Sequence, residues 1–269
     1  MKYITVTGGI GFMGSHFVRK CLINGWQCRV IDKMTYVANY NCLDEFIDNS
    51  NFVFEKIDIN DVEHLYESEY IINFAAESDV GSSIQNSDKF IDTNIKGVHH
   101  LLELIRNQFP HKKPTFLHIS TDEVYGDINI GSFKETDILK PSNPYAASKA
   151  AGEMLIQGFH RTYNIPYIIV RPTNNYGIDQ YPEKLIPRTI KCLNLGQKIS
   201  LHNHGLPIRS WLHAEDTAEA IIHLMTKGVK NEIYNIGGST ELQNIQVVEQ
   251  IISLYTKEIQ DSRNFMDFN

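Results

Sequence analysis

A glycine-rich segment near the start of the chain strongly restricts the possible fold. Residues 7–15 read TGGIGFMGS; they follow the apolar run Tyr3–Thr7 and precede a helical pattern. Gly9, Gly11 and Gly14 have the spacing G-x-G-x-x-G, in which glycine permits a tight turn and a close backbone approach to a pyrophosphate. The positive end of the following helix favours such an anion. The segment therefore predicts a strand–turn–helix unit that binds a dinucleotide.

Apolar runs alternate with helical patterns over the following residues. This alternation predicts an α/β protein with a doubly wound parallel sheet. The predicted strands are Tyr3–Thr7, Gln27–Ile31, Phe52–Lys56, Tyr70–Phe74, Thr115–Ile119 and Tyr167–Arg171. The predicted helices are Met13–Asn24, Lys89–Gln108 and Ala146–Tyr163.

The pattern changes after Arg171. Prolines at 172, 182, 187 and 207 predict loops and short elements rather than another regular βα unit. A helix over Asp216–Met225 and a strand over Glu232–Ile236 are predicted to follow. We expect a dinucleotide-binding domain over residues 1–171. Residues 172–269 are expected to form mostly a smaller substrate-binding lobe at the C-terminal edge of the sheet, with some elements returning to the main domain.

Composition limits the classes of partner. The 269 residues carry a formal net charge of −7 and no long basic run, which argues against nucleic acid as a partner. No stretch approaches the roughly 18 consecutive apolar residues of a membrane span. The first residues show no signal segment, so a cytoplasmic protein is expected. The four cysteines (Cys21, Cys28, Cys42 and Cys192) lack metal-ligand spacing, which predicts reduced thiols and no bound metal.

An acidic residue at the end of the second predicted strand bears on the choice of cofactor. Asp32 follows Gly14 by about 18 residues, the spacing at which an acid holds ribose hydroxyls. Its negative charge opposes a 2′-phosphate, so the sequence favours NAD over NADP. Lys33 beside it weakens this preference.

Two further strand ends are candidates for cofactor contact. Asp58 and Ile59 follow the third strand and are placed to flank an adenine ring, although an ordinary acid at a strand end is the alternative. Ala75 and Ala76 follow the fourth strand and are small enough for a cofactor to pass close to the backbone. Simple packing is the alternative for the alanines.

A tyrosine, a lysine and two acids form the candidate catalytic set. Tyr145 and Lys149 have the spacing Y-x-x-x-K, which places both on one face of a helix. The lysine cation can lower the tyrosine pKa, so that its phenolate accepts a hydroxyl proton as hydride leaves the carbon. Asp122 and Glu123, within the segment Ser120–Gly126 (STDEVYG), add an acid and a base. A solvated pair of loop acids is the alternative for these two.

These motifs resemble the extended short-chain dehydrogenase/reductases and, within them, the nucleotide-sugar 4,6-dehydratases of the dTDP-glucose and UDP-glucose type. The resemblance extends from Lys2 to about Ile252. Its most specific segments are Thr7–Ser15, Asp32–Tyr36, Phe74–Ser78, Ser120–Gly126, Tyr145–Lys149, Arg171–Gly177, Pro182–Pro187 and Ile208–Trp211. It implies a Rossmann-type fold, NAD as cofactor, a hydro-lyase of deoxysugar (rhamnose-type) biosynthesis, and a homodimer.

The resemblance also implies a role for each candidate catalytic residue. Tyr145 would deprotonate the sugar 4-hydroxyl while hydride passes from C4 to NAD, and Lys149 would assist it. Glu123 would then remove the C5 proton, and Asp122 would protonate the departing C6 hydroxyl. Hydride returns to C6 and gives a 4-keto-6-deoxy sugar. Thr121 would hydrogen-bond the 4-oxygen.

Binding residues are carried over from the same resemblance. The implied cofactor contacts are Gly8, Gly11, Phe12, Met13, Gly14, Asp32, Lys33, Thr35, Asp58, Ile59, Ala75, Ala76, Thr93, Tyr145, Lys149 and Asn175. The implied substrate contacts are Ser78, Thr121, Asn174, Glu183, Lys184, Arg209 and Asn244. Arg209 is favoured for the diphosphate because its planar fork grips phosphate oxygens bidentately. For Lys184 and Asn244 an ordinary surface position is the alternative.

The chain departs from the family pattern in two places. Where relatives carry His-Val-Asp-Arg-Ser-Ile, residues 79–84 read DVGSSI. The smaller side chains would admit a larger sugar substituent, such as the 2-acetamido group of UDP-GlcNAc. The alternative is neutral sequence variation at a subunit or loop surface. Asp261–Asn269 resembles the start of a longer family segment, so an incomplete C-terminus is expected, and the choice between dTDP and UDP stays open.

Other functions remain alternatives to the 4,6-dehydratase. A dehydratase that also epimerises C5 is a variant, since Glu123 already generates the C5 carbanion. A 4-epimerase or a decarboxylase on the same fold is disfavoured by the acid pair Asp122 and Glu123. A non-catalytic NAD-binding protein would be expected to lack part of the catalytic set, which is complete in this chain.

Overall fold

The computed structural model describes residues 2–128, 130–255 and 266–268, the last three by their backbone alone. Its strands are β1 Tyr3–Thr7, β2 Gln27–Asp32, β3 Phe52–Lys56, β4 Tyr70–Asn73, β5 Thr115–Ile119, β6 Tyr167–Pro172, β7 Asn174–Tyr176, β8 Ile199–Leu201, β9 Ile208–His213, β10 Glu232–Ile236, β11 Thr240–Gln243 and β12 Met266–Phe268. Its α-helices are α1 Phe12–Ile23, α2 Tyr40–Phe46, α3 Val80–Gln85, α4 Asp88–Ile91, α5 Val98–Gln108, α6 Pro144–Tyr163, α7 Leu185–Asn194, α8 Ala214–Lys227 and α9 Asn244–Tyr255. Apart from the backbone of 266–268, the C-terminal family segment expected at Asp261–Asn269 lies outside the described residues.

The chain forms two compact units. The larger comprises Met1–Pro172 and Glu215–Ile236, and the smaller comprises Thr173–Ala214 and Gly237–Asn269. The larger unit contains a seven-stranded sheet in the order β10-β6-β5-β4-β1-β2-β3, and every neighbouring pair is parallel. The strand order reverses between β1 and β4, the point at which doubly wound sheets bind ligands beyond the carboxyl ends of their strands. The predicted fold class is confirmed.

Helices cover both faces of this sheet, which explains why its strands are apolar along their length. On one face, Phe17 of α1 and Ile221 of α8 are buried in a cluster with Ile72 of β4. On the other face, Leu102 of α5 is buried in a cluster with Ile71. Adjacent residues of one strand thus point into two separate parts of the core.

Three features of the structure depart from the sequence-based expectation or refine it. Helix α7 begins at Leu185 inside the proline-rich stretch, because Pro187 lies in the first helical turn, where no intrahelical N–H bond is lost. Strand β10 pairs with β6 in the main sheet, and so is one of the later elements that return to the larger unit. The single helix expected over Lys89–Gln108 is α4 and α5 joined by a π-helical segment, Asp92–Gly97.

The smaller unit has its own sheet and core. Strand β9 is paired with β7 in parallel and with β11 in antiparallel orientation. Leu193 of α7 and Val248 of α9 are buried together with Ile199 and Leu201 of β8. Among the described residues no helix is long and apolar enough to cross a membrane. Within the same residues no three His, Cys, Asp or Glu side chains are grouped so as to hold a metal ion.

Candidate active site and cofactor pocket

The turn between β1 and α1 has no space for side chains at two of its glycines. Gly8 has a φ of +69°, and a Cβ there would lie 2.5 Å from the backbone nitrogen of Ala75. A Cβ on Gly14 would collide with the carbonyl oxygen of Gly8. The N–H groups in the first turn of an α-helix have no partner within the helix, and at the start of α1 the N-cap residue Gly11 has no side chain to accept from them. The turn therefore presents bare backbone and a helix N-terminus to one side.

A pocket lies beside this turn in the larger unit. Its lining residues are Gly8, Gly11, Ile31, Asp32, Lys33, Thr35, Val37, Ala38, Asp58, Ile59, Phe74, Ala75, Ala76 and Thr93. Most of the cofactor positions expected from the sequence are thus brought together. The sequence interpretation missed Ile31, Val37, Ala38 and Phe74, for which the only available signal was their position beside the ends of β2 and β4. Phe12, Met13, Gly14, Tyr145 and Lys149 belong to the same unit but not to this lining, and Asn175 belongs to the smaller unit.

Asp32 is held at the end of β2 by backbone donors. Its Oδ2 accepts a hydrogen bond from the Ile10 N–H at 3.1 Å, and its Oδ1 accepts one from the Met34 N–H at 2.8 Å. Burial raises the pKa of Asp32, and these two bonds offset only part of that effect. Each carboxylate oxygen has a second lone pair. Asp32 can therefore still accept hydrogen bonds from ribose hydroxyls.

Lys33 is shared between two carboxylates at the pocket. Its Nζ lies 3.4 Å from Asp58 Oδ2 and 3.5 Å from Glu77 Oε1. The same atom donates a hydrogen bond to Thr93 Oγ1 at 3.3 Å. Burial alone would raise the pKa of Asp58, but the Asn60 N–H and the charge of Lys33 outweigh it and lower that pKa. The cation that weakened the preference for NAD is thus offset by two negative charges.

The acid pair lies on a short turn after β5. A 3₁₀ turn, Asp122–Tyr125, begins where Thr121 Oγ1 accepts a hydrogen bond from the Glu123 N–H at 3.2 Å. Gly126 ends the turn with a φ of +84°, and a Cβ at that position would collide with the carbonyl oxygen of Lys140. The turn is therefore closed at both ends by specific contacts.

Asn143 connects this turn to the helix of the tyrosine and lysine. Its Oδ1 accepts a hydrogen bond from the Ala146 N–H at 2.8 Å and so caps α6. Its Nδ2 donates to Glu123 Oε2 at 3.0 Å. Tyr145 and Lys149 follow in the first two turns of α6. The candidate catalytic residues expected from the sequence are therefore brought together within the larger unit.

The pKa values of Tyr145 and Lys149 are both shifted, and that of Tyr145 is shifted in the direction opposite to the expectation. Burial and the negative charge of Glu123 raise the pKa of Tyr145, and a hydrogen bond from Thr121 offsets only part of this. Burial lowers the pKa of Lys149 to about 8. Its ammonium donates to the carbonyl oxygen of Ile119 at 2.5 Å. In this structure the tyrosine pKa is thus raised rather than lowered.

A buried asparagine fastens the candidate catalytic helix to the π-helical segment. Asn94 lies in that segment; its Nδ2 donates to Ser148 Oγ at 2.8 Å and to the Glu77 carbonyl oxygen at 2.9 Å. Its Oδ1 accepts from the Glu77 N–H at 2.9 Å. Ser148 in turn donates to the Tyr145 carbonyl oxygen at 2.7 Å. Asn94 was not expected from the sequence, because a π-helical segment has no distinctive local pattern.

The remaining substrate candidates are divided between the units. Ser78 belongs to the larger unit, and the other five belong to the smaller one. Arg209 pairs with Leu242 across β9 and β11, and the Asn244 N–H donates to the Pro207 carbonyl oxygen at 3.0 Å. Arg209 and Asn244 therefore lie near one end of this strand pair.

The other three substrate candidates of the smaller unit are polar residues at the start of β7 and just before α7. Glu183 and Lys184 form an ion pair, with Oε1 and Nζ 3.6 Å apart, before α7. Asn174 begins β7 and pairs with Trp211 of β9. These positions are polar and partly exposed, which is compatible with ligand contact.

Fold and site together define an α/β protein with a dinucleotide-type glycine turn, a Tyr-x-x-x-Lys helix and an added acid pair. Residues 5–266 match the family model described as GDP-mannose 4,6 dehydratase, and the chain belongs to this family. It is 44% identical over 270 residues to a dTDP-glucose 4,6-dehydratase of Haemophilus influenzae, an alignment that covers 94% of this chain and 80% of the relative.

Solved structures are similar over almost the whole chain. One is a dTDP-glucose 4,6-dehydratase from Bacillus anthracis in complex with NAD, with a TM-score of 0.90 and 38% identity, covering 100% of this chain and 84% of that one. Another is a dTDP-glucose 4,6-dehydratase from Streptomyces venezuelae with NAD and TYD bound, with a TM-score of 0.93 and 36% identity, covering 99% and 84%.

Proposed function

We propose that this protein is an NAD-dependent nucleotide-sugar 4,6-dehydratase, which converts an NDP-glucose to the NDP-4-keto-6-deoxy sugar and water. The observation that carries this proposal is the hydrogen bond from Asn143 to Glu123. It joins the acid pair to the helix of Tyr145 and Lys149, so that the groups for oxidation and for elimination form one set. The similar enzymes named dTDP-glucose 4,6-dehydratase support the same function.

The residues of the larger unit fit NAD. The bare turn at Gly8 and Gly14 admits a pyrophosphate beside the free N–H groups of α1. Asp32 would accept the ribose hydroxyls, and Asp58 with Ile59 would flank the adenine. NAD supplies a hydride acceptor for sugar C4 and a donor for C6, and its oxidised ring adds a positive charge. We propose NAD rather than NADP, because Asp32 opposes a 2′-phosphate and Lys33 is offset by two carboxylates.

Tyr145 is the proposed base for the sugar 4-hydroxyl. Burial and Glu123 raise its pKa, so positive charge must offset them before it accepts a proton. Lys149, with a pKa of about 8, is protonated at neutral pH and supplies such a charge four residues away on the same helix. Thr121 is proposed to hydrogen-bond the 4-oxygen.

Glu123 and Asp122 are the proposed base and acid for the loss of water. A ketone at C4 acidifies the hydrogen on C5, which Glu123 removes. Asp122 protonates the hydroxyl that leaves C6. Adjacent residues of one 3₁₀ turn can serve adjacent carbon atoms, because the turn holds their side chains close together.

The smaller unit is proposed to bind the nucleotide diphosphate. Arg209 is assigned to phosphate oxygens, and Asn174, Glu183, Lys184 and Asn244 to the remaining polar groups, with Ser78 of the larger unit near the sugar. We propose dTDP-glucose as the substrate, because the named relatives act on it. Asp79 accepts a hydrogen bond from the Ser82 N–H at 2.7 Å and caps α3. This role accounts for the acid at position 79, and glucose is preferred to UDP-GlcNAc because the relatives are named for dTDP-glucose.

A homodimer and a cytoplasmic location complete the proposal. Ile91 of α4 and Met154 of α6 are exposed apolar residues of the larger unit, which supports a dimer contact through these helices. Light scattering coupled to size-exclusion chromatography tests the dimer; a monomer at micromolar concentration would contradict it.

The function is tested by incubation with dTDP-glucose, UDP-glucose or UDP-GlcNAc and mass spectrometry of the products. Loss of one water from dTDP-glucose is expected, and no loss from any of the three would refute the proposal. Glu123→Gln should still oxidise C4 and accumulate NADH, but should stall before elimination. Glu219→Gln, at an exposed carboxylate paired with Lys20, is the matched control and should keep full activity. Full dehydration by Glu123→Gln would show that another residue is the C5 base.

A further inference from the structure

A buried arginine at the end of β6 is not used by the proposed chemistry. Arg171 is 2% exposed, and Glu153 of α6 is fully buried beside it. Arg171 Nε donates to Glu153 Oε1 at 3.0 Å, and the Nη2 atom donates to Oε2 at 2.5 Å. This bidentate arrangement fixes both the distance and the relative plane of the two groups. Strand β6 is thereby tied to α6 one turn beyond Lys149.

The remaining nitrogen of the guanidinium contacts the turn of the acid pair. Arg171 Nη1 donates to the Tyr125 hydroxyl oxygen at 2.5 Å and to the Glu135 carbonyl oxygen at 3.2 Å. Tyr125 is the last residue of the 3₁₀ turn that begins at Asp122, and it is 3% exposed. Its hydroxyl donates to Asn235 Oδ1 at 2.8 Å. The tyrosine oxygen is therefore held from two sides.

Asn235 of β10 connects Tyr125 to the segment around Phe133. The Asn235 N–H donates to Glu135 Oε1 at 2.9 Å, and Asn235 Nδ2 donates to the Phe133 carbonyl oxygen at 3.1 Å. The ring of Phe133 stacks on Tyr125, with centroids 4.8 Å apart. The orientation of the 3₁₀ turn is thus determined by contacts to β6, β10 and the segment around Phe133.

A buried ion pair is a weak source of stability, because the loss of hydration offsets much of the attraction between its charges. Its directional hydrogen bonds nevertheless define geometry. Here they reach both parts of the candidate catalytic set: Glu153 lies on the helix of Tyr145 and Lys149, and Tyr125 lies on the turn of Asp122 and Glu123. Neither Arg171 nor Tyr125 lines the cofactor pocket.

We propose that Arg171 and Tyr125 are positioning residues for the elimination step, because they orient the Asp122–Tyr125 turn against helix α6. This inference rests on the proposed dehydratase function. It predicts a selective defect: proton removal at C5 and loss of the C6 hydroxyl depend on the turn, whereas oxidation at C4 depends on the helix. Misplacement of a reacting group by about 1 Å slows a reaction by roughly 100-fold.

Tyr125→Phe is the first test, because it removes one hydroxyl and retains the ring. Wild-type and variant enzymes are given dTDP-glucose in deuterium oxide, and single-turnover NADH formation is compared with deuterium incorporation at C5. The variant should oxidise C4 at close to the wild-type rate and incorporate deuterium roughly 10- to 100-fold more slowly. Tyr70→Phe is the matched control, since Tyr70 is also buried and its hydroxyl donates to the Met225 carbonyl oxygen. It should change neither rate.

Asn235→Ala is the second variant, because it removes the acceptor of the Tyr125 hydroxyl and leaves the tyrosine intact. It should also oxidise C4 at close to the wild-type rate and exchange the C5 hydrogen more slowly. The double variant Tyr125→Phe/Asn235→Ala should exchange that hydrogen little more slowly than either single variant. Unchanged C5 exchange in both variants, or an equal loss of both steps, would overturn the proposal. Failure of the proposed function is distinguishable, because the wild-type enzyme would then form no keto sugar in the same assay.

Discussion

Asn143 donates from Nδ2 to Glu123 Oε2 at 3.0 Å, while its Oδ1 accepts from the Ala146 N–H at 2.8 Å. The two ends of one amide therefore serve two purposes. Because the helix cap requires the amide oxygen, the amide nitrogen necessarily faces the carboxylate. The start of α6 and the orientation of Glu123 are coupled through a single side chain.

Substitution of Asn143 should separate these two purposes. Asn143→Asp keeps a good helix cap but places a second carboxylate against Glu123. We expect a thermal midpoint close to that of the wild type and C5 deuterium exchange slowed roughly 10- to 100-fold. Asn143→Ser, which caps without charge, should lose less exchange activity than Asn143→Asp. Equal exchange rates in the wild type and the aspartate variant would contradict the assigned orientation of Glu123.

The pKa of Lys149 predicts an alkaline limit to oxidation at C4. At neutral pH the ammonium is protonated, and above about pH 8 it loses its proton. Single-turnover NADH formation should therefore decline as pH rises through this value. Lys149→Arg, which keeps its charge, should be slower but should lack this decline. The same decline in the arginine variant would exclude Lys149 as its cause.

Lys149 should also make stability depend on pH, but in the opposite direction: the free energy of unfolding should rise with pH where the rate of oxidation falls. The pKa of Lys149 is lowered from 10.5 to about 8 on folding, so between these values the unfolded chain binds more protons than the folded one. The contribution of Lys149 to the free energy of unfolding therefore increases with pH across this interval. Denaturant titrations of the wild type and Lys149→Met at several pH values measure it; a variant with an identical pH dependence would contradict the lowered pKa.

The ion pairs of Lys33 should contribute to cofactor choice. Glu77→Gln leaves Lys33 with Asp58 as its remaining carboxylate and frees positive charge for a 2′-phosphate. Because partly exposed ion pairs contribute up to about 1 kcal/mol, the ratio of NADP to NAD affinity should rise by no more than about fivefold. Calorimetric titration with each cofactor measures the ratio. Glu103→Gln, at a surface pair with Arg106, is the control and should leave it unchanged. An unchanged ratio in Glu77→Gln would show that Lys33 has no part in the choice.

The glycine turn should tolerate no methyl group at position 14. In Gly14→Ala the new Cβ collides with the Gly8 carbonyl oxygen, and the turn must shift. NAD binding should weaken by at least about tenfold, as expected when backbone is displaced from a phosphate site. Gly158→Ala is the matched control: its Cβ meets open space within α6, and the helix should gain about 1 kcal/mol. Calorimetry and thermal unfolding separate the two effects, and wild-type NAD affinity in Gly14→Ala would refute the role of the turn.

Sequence reasoning succeeded where a feature depends on near neighbours. The turn at residues 7–15, the position of Asp32 at the end of β2, and the placing of Tyr145 and Lys149 on one helix follow from propensity and spacing. It failed at α7, where the position of Pro187 within the helix decides whether proline is tolerated. The bounds of β10 were predicted, but its place beside β6 was not, because that place depends on pairing between residues far apart in the chain.

By itself, the sequence determined the parallel α/β class, the glycine turn and the identity of the candidate catalytic side chains, because all of these follow from local pattern. Only the tertiary structure decided which charges surround Lys33, that burial and Glu123 raise the pKa of Tyr145, and that Arg171 reaches the turn of the acid pair. Those properties arise from side chains brought together from distant positions. Burial and contact, which set charge and orientation in a site, exist only once the chain has folded.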